Sequence, residues 1–216
     1  MDDGAGTRKC RGRPALPSQP HPSAAAARDV LYLRSPVSGN PVSAEAGQLS
    51  ALVSGPEAAF RAVSPLMSTF CHAQTWLGEG EQARFAKLAI NLMIAVSAGM
   101  MAEALSLARS GDIDWQDMLN LMENSAVGSP MVKYKCAPLK ERDFTATFSG
   151  RQMAKDLDLN LDCARGAGVP IPLAAQMRET YSAIIASGDG DSDYIATVRH
   201  EERLAGLGDA AVAARP

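Results

Sequence analysis

Lys87 and Asn91 are the residues whose types and spacing most directly suggest chemistry. They lie four positions apart, so in a helix they share one face. Lys87 lies where the polar residues Glu81, Gln82 and Arg84 give way to a long apolar run. Partial loss of water there favours the neutral amine that a general acid or base uses. Asn91 could then hydrogen-bond a substrate hydroxyl or carboxylate. From spacing alone, a lysine whose stem covers apolar surface and an asparagine at a helix interface remain the favoured interpretation.

Two further polar pairs are weaker candidates for a site. Ser38 and Gly39 end a Pro-Val-Ser-Gly sequence, and such a turn can expose backbone N–H groups and a hydroxyl to an anion. An ordinary turn explains the same residues. Lys155 and Asp156 are adjacent, so in a helix they point to different sides, and a solvated helix face explains them equally well.

Composition limits the partners that we expect. Aromatic residues make up only 5% of the 216 residues while 46% are hydrophobic, a balance that favours helices over a β-sandwich. The formal charge of −3 gives no basic surplus for a phosphate backbone, so we expect no nucleic-acid partner. A nucleic-acid-binding tail around Arg8, Lys9, Arg11 and Arg13 is a minor alternative, since no aromatic residues accompany these charges.

Cysteines, histidines and hydropathy indicate a cytoplasmic protein without metal or membrane. The four cysteines are widely spaced and only three histidines exist, so we expect reduced thiols and no metal site. The long apolar run without charges, residues 88–102, is shorter than the ~20 residues of a membrane span. It contains Asn91 and Ser97, which favours a buried helix, and the N-terminus has no apolar signal-peptide core.

The first third of the chain has an α/β pattern behind a polar start. Residues 1–24 have almost no large apolar side chains, and we expect them to be disordered. We then expect strands at residues 30–33, 48–54 and 73–77, with a turn at 35–40. Gly55 and Pro56 should open a helix with proline at its first position.

From residue 80 onward the pattern predicts six helices. Residues 81–110 form one long helix that is apolar nearly all round between Leu88 and Leu107, which predicts burial on every side. One small domain cannot easily bury such a helix, so we expect a homodimer through residues 81–110. Asp114 and Asp193 are expected helix caps, and another helix should begin near Ser129 and Pro130. The Ala-rich residues 206–216 should be disordered.

Four ordered segments are similar to motifs of the β-hydroxyacid dehydrogenases, which include 3-hydroxyisobutyrate dehydrogenase, tartronate semialdehyde reductase and 6-phosphogluconate dehydrogenase. Residues 35–60, SPVSGNPVSAEAGQLSALVSGPEAAF, resemble the family's APVSGG…A…G.L…..G segment. Residues 78–91, GEGEQARFAKLAIN, resemble its G…….KxxxN catalytic helix. Residues 148–162, FSGRQMAKDLDLNLD, and 168–173, GVPIPL, are similar to its FxxxxxxKDLxLA and GVPxPL motifs. The resemblance covers about residues 26–205 and makes the functional interpretation of Lys87 the favoured one.

The resemblance implies a mainly α fold with two parts. Residues 80–205 would form an all-helical domain like the C-terminal domain of 6-phosphogluconate dehydrogenase. Residues 25–79 would be a small α/β remnant of a Rossmann NAD(P)-binding domain. The family is usually dimeric or higher, which agrees with the expected homodimer.

The resemblance also implies roles for individual residues. Lys87 would exchange the proton, and the substrate, a small hydroxyacid or its semialdehyde, would be held through its carboxylate and its reacting oxygen. The cofactor would be NAD or NADP. The implied substrate-binding residues are Ser38, Gly39, Asn40 and Asn91, and the implied cofactor-binding residues are Phe148, Lys155 and Asp156.

The N-terminus departs from this family, whose members begin with a strand, a GxGxxG turn and a helix. Gly4, Gly6 and Gly12 follow no strand, so we expect a truncated or frame-shifted product that binds NAD(P) weakly and is weakly active or inactive alone. Asn40 also stands where the family usually has glycine. A non-enzymatic helical dimerisation module left over from such an enzyme is the alternative function. An imine reductase is a third, and Lys87 argues against it because those enzymes typically place another residue there.

Overall fold

The computed structural model describes residues 22–39 and 41–208. Contacts divide the chain into two compact units, one formed by Met1–Lys87 with Asp162–Pro170, the other by Leu88–Leu161 with Ile171–Pro216. The helices and strands of the described residues are, in chain order, α1 (Pro22–Ala26), β1 (Val37–Ser38), α2 (Pro41–Glu45), β2 (Leu49–Val53), α3 (Glu57–Met67), β3 (Cys71–Trp76), α4 (Gln82–Ser110), α5 (Trp115–Asn124), α6 (Pro130–Lys140), α7 (Gly150–Ala167), α8 (Pro172–Ala186), a 3-10 turn (Tyr194–Ala196) and α9 (Thr197–Leu204).

The first unit contains a three-stranded sheet in the order β1-β2-β3. Strands β2 and β3 are parallel and are joined through α3, as parallel strands require a crossover connection. Strand β1 pairs with β2 in antiparallel register, Val37 opposite Ala51. Ala51, Val53, Met67 and Cys71 are buried together and form the small core of this unit.

The predicted strands at residues 48–54 and 73–77 are confirmed, but the strand predicted at 30–33 is wrong. Val30 and Leu31 are 58% and 64% exposed, so no burial stabilises an extended conformation there. Pairing with β2 begins at Arg34, which bridges Ser54, and continues in β1 inside the predicted turn. Helix α3 begins at Glu57, and Pro56 is its N-cap rather than its first residue.

The short helices α1 and α2 were not predicted. Helix α1 begins at Pro22, inside the segment expected to be disordered. Residues 1–21 of that segment and residues 209–216 of the tail lie outside the described part of the chain.

The second unit is built around α4, and all six helices predicted after residue 80 are observed. Ala95, Ala98, Met101, Ala102 and Leu105 are fully buried on one side of α4 and form the axis of its core. The caps predicted at Asp114 and Asp193 are confirmed, and Ser129 caps the helix expected to begin near it. Residues Asp114, Ser129 and Asp193 each accept a hydrogen bond from a backbone N–H group of the turn that they open.

The opposite side of α4 contradicts the expectation that this helix is buried all round. Met93, Met100 and Leu107 are 68%, 44% and 76% exposed. Within one chain, the packed elements cover only part of this apolar helix. By length and hydropathy α4 could cross a membrane, a criterion that the core helices of soluble proteins also meet.

A buried ion pair fixes the position of the segment that leads into α7. The carboxylate of Asp193 accepts hydrogen bonds from Lys135 Nζ at 2.7 Å and from the backbone N–H of Ile195 at 3.1 Å. It also accepts from both the backbone N–H and the hydroxyl of Thr147, at 3.0 and 2.9 Å. The side chains of Lys135 and Asp193 are only 2% and 3% exposed, and the lysine ammonium lies 4.3 Å from the ring centre of Tyr194. The segment that enters α7 is therefore attached to α6 and to the 3-10 turn.

We predict that Lys135→Met lowers the free energy of unfolding by about 3–5 kcal/mol, because it leaves the Asp193 carboxylate buried without its cation. Urea denaturation followed by circular dichroism measures this change. Lys140→Met is the matched control on the same helix, since Lys140 pairs with Glu123 at 2.9 Å in a more exposed position. The control should lose about 1 kcal/mol or less. Equal losses in the two variants would contradict the interpretation.

Candidate functional site

Three of the predicted site residues meet in the second unit. The side-chain N–H of Asn91 in α4 donates to Asp156 Oδ2 in α7 at 2.7 Å. Lys155 Nζ lies 3.3 Å from the other carboxylate oxygen. The side chain of Asp156 is 14% exposed and that of Lys155 is 68% exposed, so they differ in exposure, yet the flexible lysine stem brings its ammonium back to the carboxylate. This difference in exposure agrees with the expectation that the two side chains point to different sides of the helix.

Helical spacing explains why Asp156 reaches α4. Met153, Ala154 and Leu157 are buried and define the face of α7 that packs against the core. Asp156 lies at the edge of that face, three positions after Met153, so its carboxylate is removed from most solvent. An ionised carboxylate only accepts hydrogen bonds, and the Asn91 amide supplies a donor to it.

The first unit holds Lys87, Ser38 and Gly39. Lys87 is half-buried in the second turn of α4. The start of this helix is attached to the sheet, because Glu81 pairs with Arg34 at 2.6 Å and the N–H of Ala83 contacts the Ser54 hydroxyl at 3.4 Å. The sequence did not single out the ion pair between Arg34 and Glu81, whose partners lie far apart in the chain.

The Ser-Gly turn has a backbone that only glycine tolerates easily. Ser38 is half-buried at the end of β1, and the next residue, Gly39, has φ +136°. A Cβ added at Gly39 would lie 2.6 Å from Leu49 Cδ2. Asn40, the third predicted residue of this turn, lies outside the described residues.

Phe148, predicted on the cofactor side, takes part in packing. Its ring stands edge-on to Tyr194 with 6.4 Å between ring centres, and it packs against the buried core of the second unit. The structure does not bring Phe148 into the contact between Asn91 and Asp156.

The loop between β3 and α4 does not fit the pyrophosphate of a dinucleotide. The glycine loop Gly78-Glu79-Gly80 joins β3 to α4, which is the strand–loop–helix order of a phosphate-binding turn. The N–H of Gly80, however, donates to the Gln82 side-chain oxygen at 2.8 Å. A Cβ at Gly78 would lie 2.8 Å from Gln82 Nε2, so the Gln82 side chain already fills the concave side of the loop.

The described residues show neither a cluster that could bind a metal ion nor a reactive thiol at Cys136. Within residues 22–39 and 41–208, no group of three or more histidine, cysteine, aspartate or glutamate side chains could hold a metal ion. Burial raises the pKa of the Cys136 thiol to about 11, which keeps it protonated and unreactive. The contact between Asn91 and Asp156 can orient a polar ligand, and Lys87 can exchange a proton.

Comparisons with known proteins agree with the motifs. The family model described as NAD-binding of NADP-dependent 3-hydroxyisobutyrate dehydrogenase matches residues 81–200. The model of the NAD binding domain of 6-phosphogluconate dehydrogenase matches residues 17–78, beginning before the boundary expected near residue 25.

Individual relatives cover most of this chain but are longer. The chain is 30% identical over 177 residues to the probable mitochondrial 3-hydroxyisobutyrate dehydrogenase of Arabidopsis thaliana, covering 79% of this chain and 51% of the relative. It is 28% identical over 174 residues to the 2-hydroxy-3-oxopropionate reductase of Escherichia coli, covering 81% and 60%. The crystal structure of a 3-hydroxyisobutyrate dehydrogenase from Salmonella typhimurium superposes with a TM-score of 0.76 at 26% identity, covering 82% and 63%. The chain thus spans about half to three fifths of these relatives.

We predict that Gly39→Ala destabilises the first unit by about 1–3 kcal/mol, because a side chain at this φ is strained and would collide with Leu49. Thermal unfolding followed by circular dichroism measures the change. Gly166→Ala in α7 is the control, since a Cβ there meets nothing within 4 Å. The free energy of unfolding of the Gly166→Ala variant should stay constant or rise by up to about 1 kcal/mol. An unchanged melting temperature for Gly39→Ala would refute the strained turn.

Proposed function

The chain belongs to the β-hydroxyacid dehydrogenase family, and from that membership we propose that it takes part in the NAD(P)-dependent interconversion of a β-hydroxyacid and its semialdehyde or keto form. The observation that carries the proposal is the hydrogen bond between Asn91 and Asp156. It joins the KxxxN segment to the KDL segment, two motifs that lie 65 residues apart in the sequence. Direct contact between two motifs of one family is expected if both motifs belong to the same site.

In the proposed reaction Lys87 accepts the hydroxyl proton during oxidation and returns it during reduction. Asn91 lies one helical turn further along α4 and orients the reacting oxygen. Ser38, Gly39 and Asn40 hold the substrate carboxylate. NAD or NADP supplies the hydride acceptor in this class of reaction, and the described residues contribute substrate binding and proton transfer. The names of relatives support a small hydroxyacid or semialdehyde as substrate.

We also propose that the protein is a homodimer through α4. Met93, Met100 and Leu107 recur every seven residues, which places these exposed apolar side chains on one face of the helix. Met100 and Leu107 line a groove of about 380 Å³ between α4 and α8, together with Leu173, which is also exposed. An exposed apolar helix face of this kind can be buried against the same face of a second copy in a two-fold interface.

A non-enzymatic dimerisation module is the second candidate function, and this α4 face is the observation that favours it. Both functions predict a dimer, but only the first predicts turnover that depends on Lys87. For this protein we propose the cytoplasm as compartment, with neither nucleic acid nor membrane as partner. The described cysteines are free thiols, and the formal charge of −3 supports the absence of nucleic acid.

We predict that Lys87→Met lowers kcat for the oxidation of 3-hydroxyisobutyrate by about 10²–10⁴-fold, the usual contribution of a general acid–base residue. The measurement is the absorbance of reduced cofactor at saturating NAD or NADP. Lys133→Met, an exposed lysine on α6, is the control and should retain the activity of the parent.

The activity of the Lys87→Met variant distinguishes between the two candidate functions. Turnover by the parent that survives Lys87→Met would refute the assigned role of this lysine. If a dimeric parent neither turns over substrate nor binds either cofactor by isothermal titration calorimetry, the dimerisation module becomes the better assignment.

We predict that Leu107→Glu combined with Met100→Glu converts the dimer to a monomer, because two charges would be buried at the centre of the interface. Light scattering coupled to size-exclusion chromatography measures the mass. Leu121→Glu on α5 is the control, since Leu121 is similarly exposed but lies outside the α4 face. A parent that is already monomeric at micromolar concentration would rule out the interface.

A further inference from the structure

We infer that the ion pair between Arg34 and Glu81 positions Lys87 relative to the substrate-binding turn. Arg34 Nη2 lies 2.6 Å from Glu81 Oε1, and this contact joins the segment that carries the turn, Ser38 and Gly39, to the start of the helix that carries the lysine. The inference rests on the proposed function, in which the turn holds the substrate carboxylate and Lys87 exchanges the proton. Both charged residues are positioning residues, and neither is required to touch the substrate.

Arg34 and Ser38 lie on one face of the sheet. Arg34 pairs with Ser54. Four positions later, Ser38 pairs with Ser50 in the same antiparallel register. Side chains along a strand alternate between the two faces, so residues four positions apart share a face. Cross-strand partners share that face as well, which places Ser54 beside Arg34.

The start of α4 contacts this face at two points. Ser54 is fully buried, and its hydroxyl accepts the backbone N–H of Ala83 at 3.4 Å. Arg34 pairs with Glu81, the residue that directly precedes α4. Ala83 is fully buried, and Lys87 lies one turn later on the same side of the helix. Lys87 is therefore on the side of α4 that meets the face of the sheet to which Ser38 belongs.

One attachment point would act only as a pivot. The contact of 3.4 Å at Ala83 is long for a hydrogen bond, so it does not fix the direction of the helix by itself. Lys87 lies about 6 Å along the helix from Ala83, so a tilt of about 10° there moves it by about 1 Å. A displacement of about 1 Å at a reacting group can lower a rate by up to about 10²-fold. The ion pair supplies the second attachment point, which prevents this tilt.

The backbone of Arg34 is well held, so its side chain can act as a support. Its N–H donates to the Ser54 carbonyl oxygen at 2.8 Å, and its own carbonyl oxygen accepts the Ser54 N–H at 2.9 Å. Its guanidinium carbon lies 5.3 Å from the ring centre of Tyr32, a cation–π contact, and only 19% of the side chain is exposed. The loop that leads from β3 into α4 contains Gly78 and Gly80, so the covalent connection restrains the helix less.

Charge reversal at Arg34 tests the inference on the full chain. Arg34→Glu places a carboxylate against Glu81, so the strand and the helix start repel each other. At saturating NAD or NADP, kcat for the oxidation of 3-hydroxyisobutyrate should fall by about ten-fold or more. KM should stay close to that of the parent, because the turn itself is unchanged. The solvent deuterium isotope effect on kcat should rise, because proton transfer to a displaced Lys87 becomes the slow step.

Two further variants distinguish positioning from a loss of folded protein. The exchanged pair, Arg34→Glu with Glu81→Arg, restores opposite charges and should recover most of kcat and the isotope effect of the parent. Arg61→Glu is the matched control. Arg61 pairs with Glu57 at the same distance of 2.6 Å in the same unit, but both belong to α3, so this pair joins no separate elements. The control should keep the kcat of the parent.

Hydrogen exchange measured by mass spectrometry gives a readout that does not depend on turnover. In Arg34→Glu the backbone amides of residues 82–87 should exchange faster than in the parent, because the start of α4 has lost a support. The amides of residues 57–67 in α3 should exchange at the rate of the parent. The exchanged pair should bring residues 82–87 back to that rate.

The outcomes distinguish this inference from the proposed function. If the parent has no turnover, the proposed function fails and the inference fails with it. If the parent is active and Arg34→Glu keeps its kcat, or keeps the exchange rates of residues 82–87, only the inference is overturned. A lower kcat with an unchanged isotope effect, or no recovery in the exchanged pair, indicates a merely structural role and also overturns it. Loss in Arg34→Glu and recovery in the exchanged pair, with Arg61→Glu unchanged, support it.

Discussion

The carboxylate of Asp193 is the buried charge on which the geometry of the second unit depends. It holds Lys135 of α6, Thr147 ahead of α7 and the backbone N–H of Ile195 in the 3-10 turn in one network. This network fixes where α7 begins, and the helix then carries its polar residues forward at a fixed spacing. Asp156 lies two turns into α7 and reaches Asn91 from there. A charge remote in sequence from the candidate site thereby determines the position of one of its side chains.

Helix α4 has two sides with different surroundings. Toward the core it presents small residues, and at Gly99 the approach of α8 is so close that an added Cβ would lie 2.5 Å from Met177 Sδ. Away from the core it presents Met93, Met100 and Leu107, which the described residues cover only in part. Burying such side chains is the main source of free energy for association. The helix is therefore suited to organise a core and an interface at once.

Local patterns in the sequence predicted most of the helices but few of the long-range contacts. The cap at Asp114 could be recognised because a capping side chain bonds to N–H groups two or three residues away. The strand predicted at residues 30–33 failed although Leu33 packs against the core of the first unit, because Val30 and Leu31 remain exposed, and no local pattern reveals this. Lys135 resembles a surface lysine in sequence, and only the fold places it beside Asp193. The contact between Asn91 and Asp156 needed the fold for the same reason.

Exposure separates the charges that build the fold from those that remain accessible to a ligand. Glu202 is nearly inaccessible and is clamped by Arg109 at 2.6 Å and by both terminal nitrogens of Arg142 at 2.7 Å. Such a group has no remaining capacity for a substrate, and disturbing it would cost stability. Lys155 lies mostly in solvent and Asp156 lies at the edge of the core, so their environment can change when a ligand displaces water. The most deeply buried charges of this protein are therefore structural, and its chemistry is best sought where burial is incomplete.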